Sequence, residues 1–115
     1  MPAAKYDLLI EQGATFIQEF VWKNSDGTPV DITGSSARMK IRKFKTDEVL
    51  VSLTSPSGGI TLDAPNGRIT ITISATDTSL LPVCEARYDL EIENQSAFVT
   101  RLLQGDVSIS AEVTR

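Results

Sequence analysis

Short segments in which polar and apolar residues alternate run through nearly the whole 115-residue chain, with turn residues roughly every 8–12 positions. A period of two places successive side chains on opposite faces of a β-strand. The clearest example is RITITIS, in which Ile69, Ile71 and Ile73 share one face. It follows an Asn66-Gly67 pair, which favours a tight hairpin turn. The pattern predicts an all-β chain built from antiparallel strands, as a sandwich or a barrel.

The length is that of one domain, so we expect a single β-sandwich domain over residues 1–115. The stretch ATDTSLLP is the one segment that predicts a helical turn, near residues 75–81. Ser74 or Thr76 could cap this turn, and Pro82 would end it.

Three further local predictions concern side-chain packing and the shape of the strands. We expect Leu80 and Leu81 to pack beneath the helical turn, and Gly105-Asp106 to form a bend or bulge. The segment ATFIQEFVWK is apolar on both faces, which favours a central strand covered on both sides for part of its length.

The last alternating segment, VSISAEV, predicts core positions at Val107, Ile109, Ala111 and Val113. Its only outward charge is Glu112, so its edge is poorly protected against pairing with another strand. We expect that edge to be paired within the sheet or to contact a neighbour, and it is a candidate docking edge.

Composition excludes several functional classes. The net charge is −4, which argues against nucleic-acid binding and, more weakly, against docking on an anionic membrane. No apolar run approaches the ~20 residues of a membrane span, and the start MPAAKYDLLIEQ has no pattern of a secretory signal. A single cysteine, Cys84, cannot form an intrachain disulfide, which fits assembly inside a cell.

Catalytic chemistry finds no support in the residues. The chain has no histidine, which removes the usual general base and the Ser-His-Asp and Cys-His arrangements. Cys84 has no basic neighbour before Arg87 and is a poor nucleophile. We therefore expect no enzyme activity, no cofactor and no metal.

Six aspartates raise the possibility of a calcium site or a carboxylate pair, but they lie mostly in separate turns, where aspartate bonds the local backbone. No calcium-loop spacing occurs, and nothing selects one pair of carboxylates. These aspartates are Asp26, Asp31, Asp47, Asp63, Asp77 and Asp106.

Two segments carry opposite charge. The basic one, RMKIRKFK, contains Arg38, Lys40, Arg42, Lys43 and Lys45, and the acidic one, DLEIEN, contains Asp89, Glu91 and Glu93. The two could be neighbouring strands that form cross-strand charge pairs, the two halves of a subunit interface, or simply a solvated face.

The aromatic residues allow structural and binding interpretations. Tyr88 stands two residues before the inward Leu90. Immunoglobulin-type sandwiches place a corner tyrosine there, and its hydroxyl bonds the backbone a few residues upstream. The alternative is that Tyr88 is a plain core aromatic. Trp22 is expected in the core. A platform formed by Trp22 and Tyr6 would instead indicate a carbohydrate-binding sandwich.

Several stretches, taken in order, resemble small virion and tail-region proteins of tailed bacteriophages that carry an immunoglobulin-like domain. They are IEQGATFIQEFVWKNSDGTPVDITGSSARMKIRK, GGITLDAPNGRITITISATDTSLL, YDLEI and VTRLLQGDVSISAEVTR. The pattern is similar to the N-terminal domain of phage upper baseplate proteins.

The resemblance implies an immunoglobulin-like antiparallel β-sandwich that acts as a virion structural or adaptor protein. Its partners would be other virion proteins in a tail, baseplate, fibre-attachment or neck assembly, with a symmetric homo-oligomer or ring and no nucleic acid or membrane. It would be made and assembled in the host cytoplasm. The alternatives are a carbohydrate-binding module and a head-surface decoration protein.

Overall fold

The computed structural model describes residues 4–55 and 58–112. Within these ranges the chain forms nine β-strands, one α-helix and one 3-10 helix. The strands are β1 (Ala4–Lys5), β2 (Leu8–Glu11), β3 (Phe16–Val21), β4 (Ser36–Lys43), β5 (Val49–Thr54), β6 (Ile60–Asp63), β7 (Arg68–Ile73), β8 (Glu85–Glu93) and β9 (Val99–Ser110). The α-helix, α1, is Ala75–Ser79, and the 3-10 helix is Ala64–Asn66.

The strands form two sheets that pack as a sandwich, which confirms the predicted all-β class. The larger sheet has the order β9-β8-β4-β5, with β1 and β2 both paired to the outer edge of β9. The smaller sheet has the order β3-β7-β6. Neighbouring strands are antiparallel except β1 and β2, which run parallel to β9.

The core lies between the sheets and consists of the inward residue of each alternating pair. The alternation therefore predicts the buried face correctly in β4, β7 and β8, whose inward side chains are at most 4% exposed. These residues are Ala37, Met39, Ile41, Ile69, Ile71, Ile73, Ala86, Tyr88, Leu90 and Ile92. Branched aliphatic side chains dominate this set, because they pack well on a pleated surface.

The helix begins where the sequence predicts. The Ser74 side-chain oxygen accepts a hydrogen bond from the Asp77 backbone N–H at 3.1 Å, so Ser74 is the N-cap. Leu81 is buried, but Leu80 is 78% exposed, so the expectation that both pack beneath the turn is wrong for Leu80. Leu80 is the C-cap of α1 and Leu81 follows it, and consecutive side chains at a helix end project about 100° apart, so only one of the two faces the core.

Strand β3 is an edge strand, so the prediction of a central strand covered on both sides is wrong. It pairs only with β7, and Ile17 and Val21 on its outer face are 64% and 42% exposed. Phe16 and Phe20 on its inner face are partly buried against the core. The smaller sheet has a core on one face only, so the apolar residues on the other face stay in solvent.

The last strand is longer and better paired than the sequence indicates. β9 is continuous through Gly105-Asp106, and its irregularity lies instead at Leu102, the extra residue in the pairing with β8. β8 occupies one edge of the strand and β1 and β2 the other. Its edge is therefore paired within the sheet, as one of the two expectations states. The hypothesis of a docking edge at this strand is wrong.

The core positions predicted for this strand are confirmed in part. Val107 and Ile109 are buried, at 0% and 4% exposed. Ala111 is exposed, which contradicts the prediction, because the strand ends at Ser110 and the alternation no longer faces the core. Val113 lies outside the described residues.

The backbone between β1 and β2 crosses directly over Gly105. Tyr6 N–H donates to the Gln104 carbonyl at 2.9 Å, and the Asp7 carboxylate accepts from Asp106 N–H at 3.0 Å. The buried Tyr88 hydroxyl donates to the Tyr6 carbonyl. The corner-tyrosine interpretation is therefore wrong, because the hydroxyl bonds the N-terminal segment instead of the loop that precedes its own strand. Tyr88 is a core aromatic that fastens β1 and β2 to β9.

This contact predicts a loss of stability at alkaline pH. Burial first, and then the charge of Asp7, raise the pKa of Tyr88 from 10.0 to about 12. A raised pKa means that the folded state holds the proton more tightly, so the contribution to stability is complete below about pH 10 and is lost as pH rises through about 12. Chemical unfolding measured across that range should show the decline, and Tyr88→Phe should flatten it. An equal decline in the variant would contradict the assignment.

Candidate interaction surface

The outward face of the larger sheet carries most of its charge in two adjacent strands. The β4–β8 register places Arg38 opposite Glu91, Lys40 opposite Asp89 and Arg42 opposite Arg87. The basic and acidic segments are therefore neighbours, as one of the alternative interpretations predicts. The remaining alternatives, a subunit interface and a solvated face, concern what covers this surface.

One end of the face is neutralised within the chain. Arg38 forms ion pairs with Glu91 at 3.0 Å and Glu93 at 3.2 Å, and Arg101 pairs with Asp89 at 3.5 Å. The hydrogen bond that Arg38 donates to Glu91, and then the one that it donates to Glu93, raise the pKa of the Arg38 guanidinium. These groups are partly exposed, so each pair contributes little to stability. They do fix the side chains at this end of the sheet.

The other end of the face holds arginines with different partners. Arg42 Nη1 donates to the Asp47 carbonyl at 3.0 Å, and the Arg87 guanidinium lies over the Phe44 ring with its carbon 4.4 Å from the ring centre. Both contacts are made to the β4–β5 turn, residues 44–48. A concavity of about 810 Å³ lies along this face between the two ends.

The six aspartates do not form a site. The Asp26 carboxylate accepts from the Thr28 hydroxyl and N–H, and the Asp31 carboxylate accepts in the same way from Thr33. In each case the hydroxyl first, and then the backbone N–H, lower the pKa of the carboxyl. These two aspartates bond their local backbone, as the sequence predicts.

The other four aspartates lie in four different elements, although Asp47 and Asp106 both border the concavity on the outward face of the larger sheet. They are Asp47 in the β4–β5 turn, Asp63 at the end of β6, Asp77 in α1 and Asp106 in β9. Among residues 4–55 and 58–112, no group of three or more His, Cys, Asp or Glu side chains could hold a metal ion.

Cys84 and Trp22 are both partly buried against the core, which agrees with the structural interpretation of each. Tyr6 is 45% exposed, and its ring meets Phe20 edge-on, with centroids 5.4 Å apart. Trp22 instead borders a small groove of about 140 Å³ at one end of the sandwich, beside Phe98. Among the described residues, Tyr6 has its ring contact with Phe20, and Trp22 is partly buried against the core, so the two rings do not form an exposed aromatic platform.

Two features of the structure could not be predicted from the sequence. The pairing of Arg42 with Arg87 depends on the β4–β8 register, which no local pattern specifies. Thr78 is completely buried and bonds the β2–β3 connection through its hydroxyl, yet it stands in an otherwise polar helical turn without any distinguishing signal. In the part of the chain that is described, no helix is long and apolar enough to span a membrane.

No protein-family model and no curated protein matches the sequence. Among solved structures, the fold is similar to the N-terminal domain of phage TP901-1 ORF48, with a TM-score of 0.51 and 14% sequence identity. The match covers 94% of this chain and 86% of that chain. At this level of identity the similarity concerns the fold, and it extends over almost the whole sandwich.

Proposed function

We propose that this chain is a structural or adaptor module of a bacteriophage particle and acts through protein–protein contacts. The observation that carries the proposal is the similarity to the phage TP901-1 domain, which spans nearly the whole of both chains. Fold alone does not fix function. Here the fold agrees with a sequence resemblance to phage virion and tail-region proteins that covers the same stretches in order.

The strand order supports an immunoglobulin-like assignment within this proposal. In immunoglobulin domains one sheet contains strands B, E and D, and the other contains G, F and C, with C′ added in variable-type domains. The orders β3-β7-β6 and β9-β8-β4-β5 follow the same sequence of elements. The N-terminal segments β1 and β2 lie on the larger sheet, beside β9.

The chain would take its place in a tail, baseplate, fibre-attachment or neck assembly, with other virion proteins as partners, and would form a symmetric homo-oligomer or ring within the particle. It would be made and assembled in the host cytoplasm. A head-surface position is the alternative within the same class. The partial burial of Trp22 against the core gives the carbohydrate-binding alternative no support.

Quantitative mass spectrometry of gradient-purified virions tests the proposal. We expect the chain to copurify with particles made by the genome that encodes it, at a copy number that matches a rotational symmetry of the particle. The matched control is a non-structural protein of the same genome, which should be depleted. Loss of this chain to the level of that control would contradict a virion role.

A further inference from the structure

We propose that Arg42 and Arg87 form a binding site for a carboxylate on an acidic segment of a partner protein. This inference rests on the proposed function, since it names the chemistry of the partner that the module would contact. Both residues lie on the outward face of the larger sheet, directly opposite each other in the β4–β8 ladder. Like charges directly opposite each other destabilise a sheet, and an anion bound between them would relieve that repulsion.

Neither guanidinium forms an ion pair with a carboxylate among the described residues. Arg42 bonds a backbone carbonyl, that of Asp47, and Arg87 lies over the Phe44 ring. Arg87 also faces Asp106 in the β8–β9 register, yet none of the ion pairs among the described residues contains Arg42 or Arg87. Both contacts position a guanidinium, and neither of them is made to a carboxylate.

The acidic residues nearest along β8 are already engaged. Glu91 pairs with Arg38, and Asp89 pairs with Arg101. The two ends of the face therefore differ. At one end the charged side chains pair with each other, and at the other end two guanidinium groups are positioned by the β4–β5 turn. An arginine restrained by packing loses less side-chain entropy when it binds a carboxylate.

The surroundings leave room for a ligand. Arg42 and Arg87 both border the concavity of about 810 Å³, together with Lys5 and Lys40. The pairing of β4 with β5 shifts beside Arg42, so that Arg42 lies opposite Val49 and Leu50 is the extra residue of a β-bulge. Bulges redirect the neighbouring side chains and are frequent beside binding sites.

The charge distribution favours a carboxylate over a nucleic acid. Asp47, Asp89, Glu91 and Asp106 border the same concavity, and the chain as a whole carries a net charge of −4. A continuous phosphate backbone would meet these acids, whereas one carboxylate can bridge two guanidinium groups through charge-assisted hydrogen bonds. An acidic protein segment is the ligand that fits both observations.

An NMR titration of the whole chain with a capped tetraglutamate peptide tests the site, with capped tetraglutamine as the uncharged comparison. We expect backbone amide shifts concentrated at β4, β8 and the β4–β5 turn. Arg42→Gln and Arg87→Gln should each weaken binding about tenfold or more, because each removes a charge-assisted contact. Arg101→Gln is the matched control, since it removes one positive charge from the same face, and it should change the affinity by less than about threefold.

Three results would overturn the site: no shift with tetraglutamate, equal losses in all three variants, or tighter binding of a single-stranded oligothymidylate than of the peptide. The titration uses the purified chain and does not require virions, so its result is independent of the test of the proposed function. A chain found in virions that fails the titration would contradict only the site, and a chain absent from virions that passes it would contradict only the virion role.

Discussion

Gly105→Ala is expected to lower the free energy of unfolding by about 3 kcal/mol, because it combines overpacking with the loss of a buried hydrogen bond. A β-carbon at Gly105 would lie 2.8 Å from the Tyr6 carbonyl carbon and closer still to its oxygen. These are backbone atoms, so the β1–β2 junction would have to move. That movement separates the Tyr6 carbonyl from the hydroxyl of Tyr88, a residue that is buried.

Denaturant unfolding measures the loss, and hydrogen exchange locates it. We expect faster exchange at the amides of β2 and little change in the smaller sheet. Gly27→Ala is the matched control: Gly27 has a φ of +90°, with nothing within 4 Å of an added β-carbon. It should cost only about 1 kcal/mol, which is the conformational penalty alone. Equal losses in the two variants would show that the crossing at Gly105 does not matter.

Thr78→Val should cost about 2 kcal/mol, because it keeps the shape of the side chain and removes a buried hydroxyl. That hydroxyl accepts from Gly13 N–H at 3.1 Å and donates toward the Ala14 carbonyl at 2.9 Å. It is thus the link between α1 and the connection from β2 to β3. In the variant, the N–H of Gly13 loses its partner in a site where the Thr78 side chain is completely buried.

Thr76→Val serves as the control, since Thr76 is exposed on the same helix and threonine and valine have similar helix propensities. Thr78→Ser keeps the hydroxyl and should retain more stability than Thr78→Val. Thermal or denaturant unfolding of the three variants gives the comparison. If Thr78→Val were as stable as Thr76→Val, the hydroxyl would not be holding the helix in place.

Alternation predicts which residues are buried wherever one face of a strand meets the core and the other meets water. Ile69, Ile71 and Ile73 follow that rule. It fails at β3, because apolar residues on both faces do not reveal whether a second layer exists to cover Ile17 and Val21. Coverage of that face depends on how many layers pack on the sheet, which is a property of the whole fold.

The candidate site could be predicted only in part for a similar reason. The segments RMKIRKFK and DLEIEN indicate two charged strands, and the structure confirms that they are neighbours. Whether Arg42 faces an acid or another arginine depends on the register, and a shift of two residues would place it opposite Asp89 or Glu85 instead. Tertiary packing of the core faces decides that register, and no residue near Arg42 specifies it.

A symmetry-averaged electron cryomicroscopy reconstruction of the virion tests the central claim most directly. We expect density for this β-sandwich at symmetry-related positions, with part of its surface in contact with another virion protein. A map that accounts for every particle protein and contains no such density would contradict the account.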